Sequence, residues 1–401
     1  MSDGHTGDPS ATAPALETRA AALQGRLRAG GPVQLVRAPG RVNLIGEYTD
    51  FNMGFVLPAA IDREIWMAFE PWERPGVELT SVELNETRSF AFDDLSPKAG
   101  SVTTWIDYVA GTAWAMREAG LPLRGFRGVL DSTIPVGSGL SSSAALEMAS
   151  SFALADPQAP RPPAAAMATI AQRGENRYVG VNCGIMDQFA SAAGQEGHAL
   201  LIDCQINEAT MTPIPASLAI VVCDTGSPRR LGSEYNTRRS ECELGVRLIA
   251  ERELGVRSLR DVDAAMLARN RDRLPNKVAR RCEHIVHENE RVMATVAALR
   301  DGNLEALGHL FAASHVSLRD LLEVSSPELD AMVEIADTVP GVVASRMTGG
   351  GFGGCTVSLV ELGAEDALRE RVLRDYPRLT GLAARVYAVA AVDGAGEVQV
   401  P

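Results

Sequence analysis

Residues 135–145 combine glycines, hydroxyl side chains and a following helix in an order that suits phosphate binding. The segment reads Pro-Val-Gly-Ser-Gly-Leu-Ser-Ser-Ser-Ala-Ala. Its glycines would let backbone N–H groups turn toward an anion, its serines offer hydroxyls, and the next helix adds its positive end. The glycine-lysine pattern of a Walker loop occurs nowhere in the chain. The segment therefore predicts a phosphate cradle without a lysine, and a plain helix entry with a tight turn is the alternative.

Residues 346–355 form a second glycine-rich segment, Arg-Met-Thr-Gly-Gly-Gly-Phe-Gly-Gly-Cys. The spacing Gly-x-Gly-x-x-Gly is present, but a dinucleotide fingerprint opens a helix, whereas this segment leads into the strand-like run 356–360. A Rossmann site is therefore rejected. So many glycines cost conformational entropy, which a close approach of the backbone to a ligand would justify. We expect this segment to form a lid or wall of the phosphate site.

Residues 37–52 concentrate polar side chains between two glycines. Arg41, Glu47 and Asp50 occur there with an aromatic side chain, that of Tyr48, and two amides. This mixture supplies the several directional hydrogen bonds that a polyhydroxylated ligand needs. A solvated loop could have the same composition, and both interpretations stay open at this point.

The chain around these segments predicts a mixed framework of helices and strands. Strand-forming runs occupy 33–37, 55–69, 125–133, 218–223, 356–360 and 385–392. Apolar residues at helical spacing predict helices over 103–119, 142–155, 184–193, 233–253 and 276–300. The strand over 125–133 runs directly through the serine-rich glycine loop into the helix over 142–155. This succession places the predicted phosphate cradle at a helix N-terminus.

Length and charge limit the classes of function. A chain of 401 residues is long enough for two domains. The net charge of -13 argues against nucleic acid as a partner, and no apolar run reaches the roughly 20 residues of a membrane span. Six cysteines are scattered without a Cys-x-x-Cys pair, which predicts reduced thiols. Residues 1–15 lack the pattern of a secretory signal, so we expect a disordered tail and a cytoplasmic protein.

Taken together and in this order, the three segments resemble the three motifs of the GHMP small-molecule kinases. Residues 37–52 resemble the galactokinase signature, 135–145 that family's ATP-phosphate loop and 346–355 its closing glycine motif. Similar stretches lie between and after them, at Glu175, 182–189, 224–226 and 233–236. The ordered set spans about residues 35 to 360, which makes coincidence remote.

The resemblance implies a role for each matching residue. Arg41 and Asp187 would be the catalytic pair, with Asp187 as the base that takes the hydroxyl proton and Arg41 as the cation that stabilises charge. Ser143 and Glu175 would hold Mg²⁺. The sugar would be lined by Glu47, Tyr48, Asp50, Gly184 and Tyr235. ATP would be contacted by Trp105, Pro135, Gly137, Ser138, Gly139, Leu140, Ser141, Ser142, Ser143, Ala144, Gly349, Gly350 and Gly351.

The resemblance also implies a fold and a reaction. The fold class is α+β, with an N-terminal ribosomal-S5-like domain of mixed sheet and helices over 16–210 and a ferredoxin-like C-terminal domain over 211–401. The site would lie in the cleft between them. The expected reaction is ATP-dependent phosphorylation of the anomeric C1 hydroxyl of galactose. The partners would be the sugar and ATP, without nucleic acid or membrane, in a monomer or weak homo-oligomer.

Two residues depart from the family pattern. Galactokinases usually read Glu-His-x-Asp-Tyr in the signature, while this chain has Tyr48 and Phe51 at the two aromatic positions. The histidine is expected near the sugar's C6 hydroxyl, and a phenol changes both reach and ring shape. A kinase for a galactosamine, galacturonate or pentose derivative is therefore an alternative. A sugar-sensing protein with weak chemistry is another, although the intact serine-rich loop argues for an enzyme.

Overall fold

The computed structural model describes residues 16–27, 30–97, 103–135, 137–227 and 232–399. The predicted tail, residues 1–15, lies outside the described residues. The helices are α1 Leu16–Leu27, α2 Trp105–Glu118, α3 Ser142–Leu154, α4 Ala164–Gly174, α5 Met186–Ala193, α6 Gly232–Ala250, α7 Ala264–Arg269, α8 Asn276–Asp301, α9 Leu304–Ser317, α10 Pro327–Asp337 and α11 Glu365–Thr380. The strands are β1 Gln34–Asn43, β2 Phe55–Val56, β3 Pro58–Pro71, β4 Gly76–Ser81, β5 Glu86–Ala91, β6 Phe126–Ser132, β7 His198–Asp203, β8 Glu208–Pro213, β9 Leu218–Asp224, β10 Val342–Thr348, β11 Cys355–Glu361, β12 Arg385–Val389 and β13 Gly396–Glu397.

A six-stranded mixed sheet organises the first half of the chain. Its order is β13-β1-β3-β6-β4-β5, and β4 runs parallel to β6 while the other neighbours are antiparallel. The edge strand β13 comes from the C-terminal end, where Glu397 pairs with Val36 and Gly396 with Arg37. The predicted mixed sheet with helices is confirmed, and the chain's last described strand completes it.

The second half contains a four-stranded antiparallel sheet in the order β10-β11-β9-β12. The elements follow along the chain as strand, helices, two strands, helix and strand, which is the ferredoxin-like succession. The predicted ferredoxin-like domain is confirmed. A separate three-stranded sheet, β2-β7-β8, combines β2, which lies between β1 and β3 in sequence, with β7 and β8, which lie between β6 and β9.

One cluster of buried apolar residues runs through both sheets. It includes Met67 of β3, Phe126 of β6, Val222 of β9 and Leu359 of β11, all of them buried. Burial of this kind is the main favourable term in folding, so the two sheets share one stabilising core. The loops at their common edge are therefore held by a rigid framework.

The predicted strand, glycine loop and helix succession appears as β6, the loop residues 133–135 and 137–141, and α3. β1 passes against this loop at Gly40, where an added Cβ would lie 2.4 Å from the carbonyl oxygen of Leu140. The Arg41 N–H donates to the same oxygen at 3.1 Å. Only glycine allows that approach, so β1 fixes the position of the loop.

Two further observations describe the chain as a whole. No disulfide joins the six cysteines within the described residues; five are buried and Cys183 is half-buried, in line with the predicted reduced thiols. Across the described residues, no helix combines the length and apolar character that crossing a bilayer requires.

Candidate active site

A cavity of about 490 Å³ opens where the loops of the two sheets meet. It brings together residues from all three predicted motifs and from the segments between them. The predicted residues that line it are Arg41, Glu47, Tyr48, Asp50, Gly137, Gly139, Ser141, Ser142, Ser143, Glu175, Gly184, Asp187, Tyr235, Gly349 and Gly350. Lining residues outside that set include Tyr108, Asn182, Cys183, Met186 and Asn236.

Arg41 and Asp187 form a bidentate ion pair at the centre of the cavity. The Nε and Nη2 groups of Arg41 donate to Oδ1 and Oδ2 of Asp187, each at 2.8 Å. Nη1 donates to the carbonyl oxygen of Gly139 at 2.8 Å, and the Ser141 hydroxyl donates to Asp187 Oδ2 at 2.5 Å. Such fork-like pairing fixes geometry as well as charge. The carboxylate is thus held beside the serine-rich loop, in the first turn of α5.

The serine-rich loop reaches α3 through three left-handed residues, Gly137 with φ 76°, Gly139 with φ 83° and Ser141 with φ 63°. Glycine adopts this conformation without the steric cost of a Cβ. No described side chain caps α3: its N-cap residue Ser141 lies in the left-handed region and makes no side-chain cap, and its hydroxyl donates to Asp187. The first-turn N–H groups of α3 therefore remain available to an anion, which the helix dipole also favours.

The glycine-rich segment is the connection between β10 and β11, residues 349–354, called the β10–β11 loop below. Gly349, Gly351, Gly353 and Gly354 have φ between 72° and 106°, and an added Cβ on Gly351 would lie 2.1 Å from the Val324 carbonyl oxygen. Backbone conformation and tight packing thus explain the glycines, and the loop leads into a strand as predicted.

Glu47 is almost fully buried and its two oxygens have different partners. One pairs with Arg346 of β10, and the other accepts the Gly349 N–H at 3.0 Å. Burial raises the pKa of Glu47, and the guanidinium of Arg346 opposes that shift. The carboxylate therefore ties the first motif to the third. Arg346 was missed as a site residue because its partner lies far away in sequence.

Asp50 and Gly184 meet at one wall of the cavity. Asp50 Oδ1 accepts the N–H of Phe51 at 2.8 Å, and Oδ2 faces Gly184 so closely that an added Cβ there would lie 1.8 Å away. Burial raises the pKa of Asp50 to about 6; the nearby charge of Asp187 adds to the rise, while the Phe51 N–H, Arg41 and Arg239 oppose it.

Three aromatic rings stand beside Asp50. The ring of Tyr48 lies 5.2 Å from that of Tyr235 and 6.0 Å from that of Phe51, and Tyr235 and Phe51 are 5.7 Å apart. The Tyr48 hydroxyl donates to the carbonyl oxygen of Gly350 at 2.6 Å. The phenol of Tyr48, which is predicted to face a sugar, is thus hydrogen-bonded to the β10–β11 loop.

Two buried carboxylates lie behind Ser143. Gln188 Nε2 donates to Glu147 Oε2 at 3.0 Å and to Glu175 Oε2 at 2.5 Å, while Glu147 Oε1 and Gln188 Oε1 have no hydrogen-bond partner among the described residues. Burial raises the pKa of Glu175 to about 7, with the charge of Asp187 adding to it, and burial together with the charge of Glu175 raises the pKa of Glu147 well above its usual value. Glu147 was missed, although it is the one charged residue in the sequence of α3.

These oxygen donors suit a hard divalent cation. Within the described residues, no group of three or more His, Cys, Asp or Glu side chains could hold a metal by itself. Mg²⁺ typically takes one or two carboxylates and completes its shell with substrate phosphates and water. Ser143, in the predicted phosphate cradle, and Glu175 both line the cavity and offer oxygen ligands for such partial coordination.

Some predicted residues stand outside the cavity wall. Leu140 and Ala144 are buried beneath the loop, and the Pro135 carbonyl oxygen accepts the Ser138 hydroxyl at 2.8 Å. Gly351 packs against Val324. The indole N–H of Trp105 donates to Glu86 Oε2 at 2.8 Å, at the start of α2. The residues that do not line the cavity are Trp105, Pro135, Ser138, Leu140, Ala144 and Gly351.

Comparisons with known proteins show which family the chain belongs to. The galactokinase galactose-binding signature matches residues 28–71, the N-terminal domain of the GHMP kinases matches 107–195, and their C-terminal domain matches 295–378. A galactokinase from Roseiflexus sp. is 42% identical over 368 residues, 92% of this chain and 93% of that protein. A galactokinase from Chloroflexus aurantiacus is 44% identical over 351 residues, 87% of this chain and 90% of that protein.

Solved structures agree in fold and extent. The Lactococcus lactis galactokinase, complexed with galactose, superposes with a TM-score of 0.89 at 34% identity, covering 95% of this chain and all of that one. The Methanococcus jannaschii mevalonate kinase has a TM-score of 0.62 at 18% identity, covering 91% of this chain and all of that one, and shares the fold. The chain therefore belongs to the galactokinase family of the GHMP kinases.

Proposed function

We propose that the protein transfers the γ-phosphoryl group of ATP to the anomeric C1 hydroxyl of galactose, giving galactose 1-phosphate and ADP. The observation that carries the proposal is the Arg41–Asp187 pair, which stands between an uncapped helix N-terminus and a wall of polar and aromatic side chains. The relatives named galactokinase, one of them solved with galactose, support this sugar.

The mechanism follows from where each group stands. ATP places its phosphates on the loop glycines and at the N-terminus of α3. The sugar lies against Asp50, Gly184 and Tyr235, with its C1 hydroxyl toward Asp187. Asp187 accepts the hydroxyl proton as the C1 oxygen attacks the γ-phosphorus, and the bond to the ADP oxygen breaks. Arg41 stabilises the charge that spreads over the transferring group.

We propose that Ser143 and Glu175 hold Mg²⁺ at the edge of the cradle, with Glu147 and Gln188 orienting Glu175 from behind. Bound there, the cation supplies neutralisation of the phosphate charge during transfer. Trp105 stays the predicted neighbour of the adenine. We further propose a cytoplasmic monomer or weak homo-oligomer; its net charge of -13 disfavours nucleic acid and anionic lipid surfaces.

A sugar panel tests the proposed reaction. The purified protein with Mg²⁺ and ATP should release ADP in the presence of galactose, and phosphorus NMR should show a sugar 1-phosphate. Galactosamine, galacturonate, arabinose and glucose complete the panel. Preference for one of these over galactose would replace the proposed sugar, whereas galactose binding without ADP release would support a sensor instead.

Tyr48 is the residue most able to change the preferred sugar. We expect Tyr48→His to change the ratio of kcat/KM between galactose and its 6-deoxy and C6-oxidised analogues by about tenfold, because an unpaired buried polar group costs about 1–3 kcal/mol. The imidazole would lack the hydroxyl that donates to the Gly350 carbonyl oxygen, and it would change the packing against the ring of Tyr235.

Steady-state kinetics on the three sugars measures the ratio. Phe51→Tyr, which adds a hydroxyl to the neighbouring ring, is the companion variant at the second departure from the family pattern. If Tyr48 only fills space, its replacement lowers the melting temperature and leaves all three ratios unchanged, and Tyr48 then has no part in sugar choice.

Asp50 should make galactose binding depend on pH. Its pKa is raised to about 6, so the carboxylate that accepts sugar hydroxyls is charged above pH 6 and protonated below it. We expect the dissociation constant for galactose to be nearly flat from pH 7 to 8. Below pH 6 it should rise by about tenfold per pH unit, since one proton competes with the ligand.

Calorimetric titration of galactose between pH 5 and 8 measures this dependence. Asp50→Asn removes the titrating group and should bind weakly but with a flat profile. A wild-type profile that stays flat down to pH 5 would show that an ionised Asp50 is unnecessary for binding.

A further inference from the structure

Two adjacent residues of the first motif bind the backbone of two adjacent residues of the β10–β11 loop. Glu47 Oε1 accepts the N–H of Gly349 at 3.0 Å, and the Tyr48 hydroxyl donates to the carbonyl oxygen of Gly350 at 2.6 Å. Glu47 is the acceptor in the first contact, and Tyr48 is the donor in the second. The start of this loop therefore cannot shift along the first motif without breaking both bonds.

Tyr48 is held in place for this contact. Its φ of 67° lies in the left-handed region, which bulky side chains rarely occupy unless their surroundings enforce it. Its carbonyl oxygen accepts Asn52 Nδ2 at 2.9 Å, and its ring packs on Tyr235, itself on the cavity wall. A sugar in this part of the cavity would therefore press on the ring whose hydroxyl holds Gly350.

The other end of the loop contacts the phosphate cradle. The Cys355 thiol, first residue of β11, donates to the Ser138 carbonyl oxygen at 3.1 Å in a buried contact. The Thr225 hydroxyl donates to the Gly354 carbonyl oxygen at 2.7 Å, and Phe352 N–H donates to the Val324 carbonyl oxygen at 2.8 Å. Hydrogen bonds thus anchor both ends of the loop, one to the first motif and one to the cradle.

We propose that the β10–β11 loop couples the two ligands, with Tyr48 and Cys355 as its positioning residues. The inference rests on the proposed function, since the ligands are galactose and ATP. Bound galactose would hold the Tyr48 ring in place, and the Tyr48 hydroxyl would hold the carbonyl group of Gly350. At the other end of the loop, Cys355 would hold the carbonyl group of Ser138 in the phosphate cradle. Because linkage is reciprocal, each ligand raises the affinity for the other by the same factor. Neither residue takes part in the chemical step.

Calorimetry on the full chain tests the coupling. The dissociation constant for galactose is measured with and without a saturating non-hydrolysable ATP analogue and Mg²⁺, and their ratio is the coupling factor. We expect a wild-type factor within the usual range of about 5 to 150. Tyr48→Phe, which removes only the hydroxyl, and Cys355→Ala should each bring the factor close to 1.

The double variant should lose no more coupling than either single one, because both act on one loop. Cys282→Ala, in the buried face of α8, is the matched control and should keep the wild-type factor. If Tyr48→Phe does not fold, Cys355→Ala carries the test. A wild-type factor of 1, or a wild-type factor in both variants, would overturn the coupling. Failure of the wild type to bind galactose would overturn the proposed function and the coupling with it.

Discussion

Asp187→Asn is expected to lower kcat by about 10²- to 10⁴-fold, the usual contribution of a positioned general base. The amide cannot take the proton of the C1 hydroxyl. Its NH₂ group would also face a donor, because Arg41 and Ser141 point N–H and O–H groups at both carboxylate oxygens. Binding of ATP should stay within a few-fold of wild type, since the glycine loop and the start of α3 are unchanged.

Single-turnover kinetics and titration of an ATP analogue separate the two effects. Asp203→Asn is a matched control, because Asp203 also pairs with an arginine, Arg260 at 2.9 Å, but lies outside the cavity wall. Melting temperatures of both variants check that the fold persists. A rate near that of wild type in Asp187→Asn would remove Asp187 from the mechanism.

The elements that position the site could be predicted from local sequence. The helix predicted over 103–119 is α2, Trp105–Glu118, and Thr104 caps it by accepting and donating within a capping box with Asp107. The helix predicted over 142–155 is α3, Ser142–Leu154. Apolar spacing, caps and glycine stops act over a few residues, so the signal lies in the segment itself.

Pairings over long distances could not be predicted in the same way. β13 is a two-residue strand, and it completes the first sheet by pairing with β1 near the other end of the chain. Glu47 and Arg346 are 299 residues apart, and their contact depends on how β10 meets the first motif. No local sequence pattern in β13 or around Glu47 indicates which distant segment it contacts.

The chemistry of the site came from the resemblance more than from spacing. Nothing in the composition around Asp187 distinguishes it from a surface aspartate, and its pairing with Arg41 is seen only in three dimensions. Glu147 shows the opposite case. A single charge in the apolar sequence of α3, one turn after Ser143, is a signal of a buried carboxylate that periodicity alone could have revealed.

Gly184→Ala is expected to weaken galactose binding by about two orders of magnitude. The new Cβ would lie 1.8 Å from Asp50 Oδ2 and 2.1 Å from its Cγ, so the carboxylate has to leave its place on the cavity wall. Hydrogen bonds to a charged group contribute about 1.5–3 kcal/mol each, and about 1.4 kcal/mol corresponds to a tenfold change in affinity. Losing one or two such bonds gives the expected size.

The effect should be confined to the sugar, because the three heavy atoms nearest to the added methyl group all belong to Asp50. Calorimetric titration of galactose and of an ATP analogue therefore distinguishes a blocked sugar wall from general loss of structure. Gly25→Ala in α1 is the matched control, since a Cβ there meets nothing within 4 Å. If Gly184→Ala binds galactose as tightly as wild type while it folds normally, Asp50 does not hold the sugar, and the pH dependence assigned to Asp50 must come from another group.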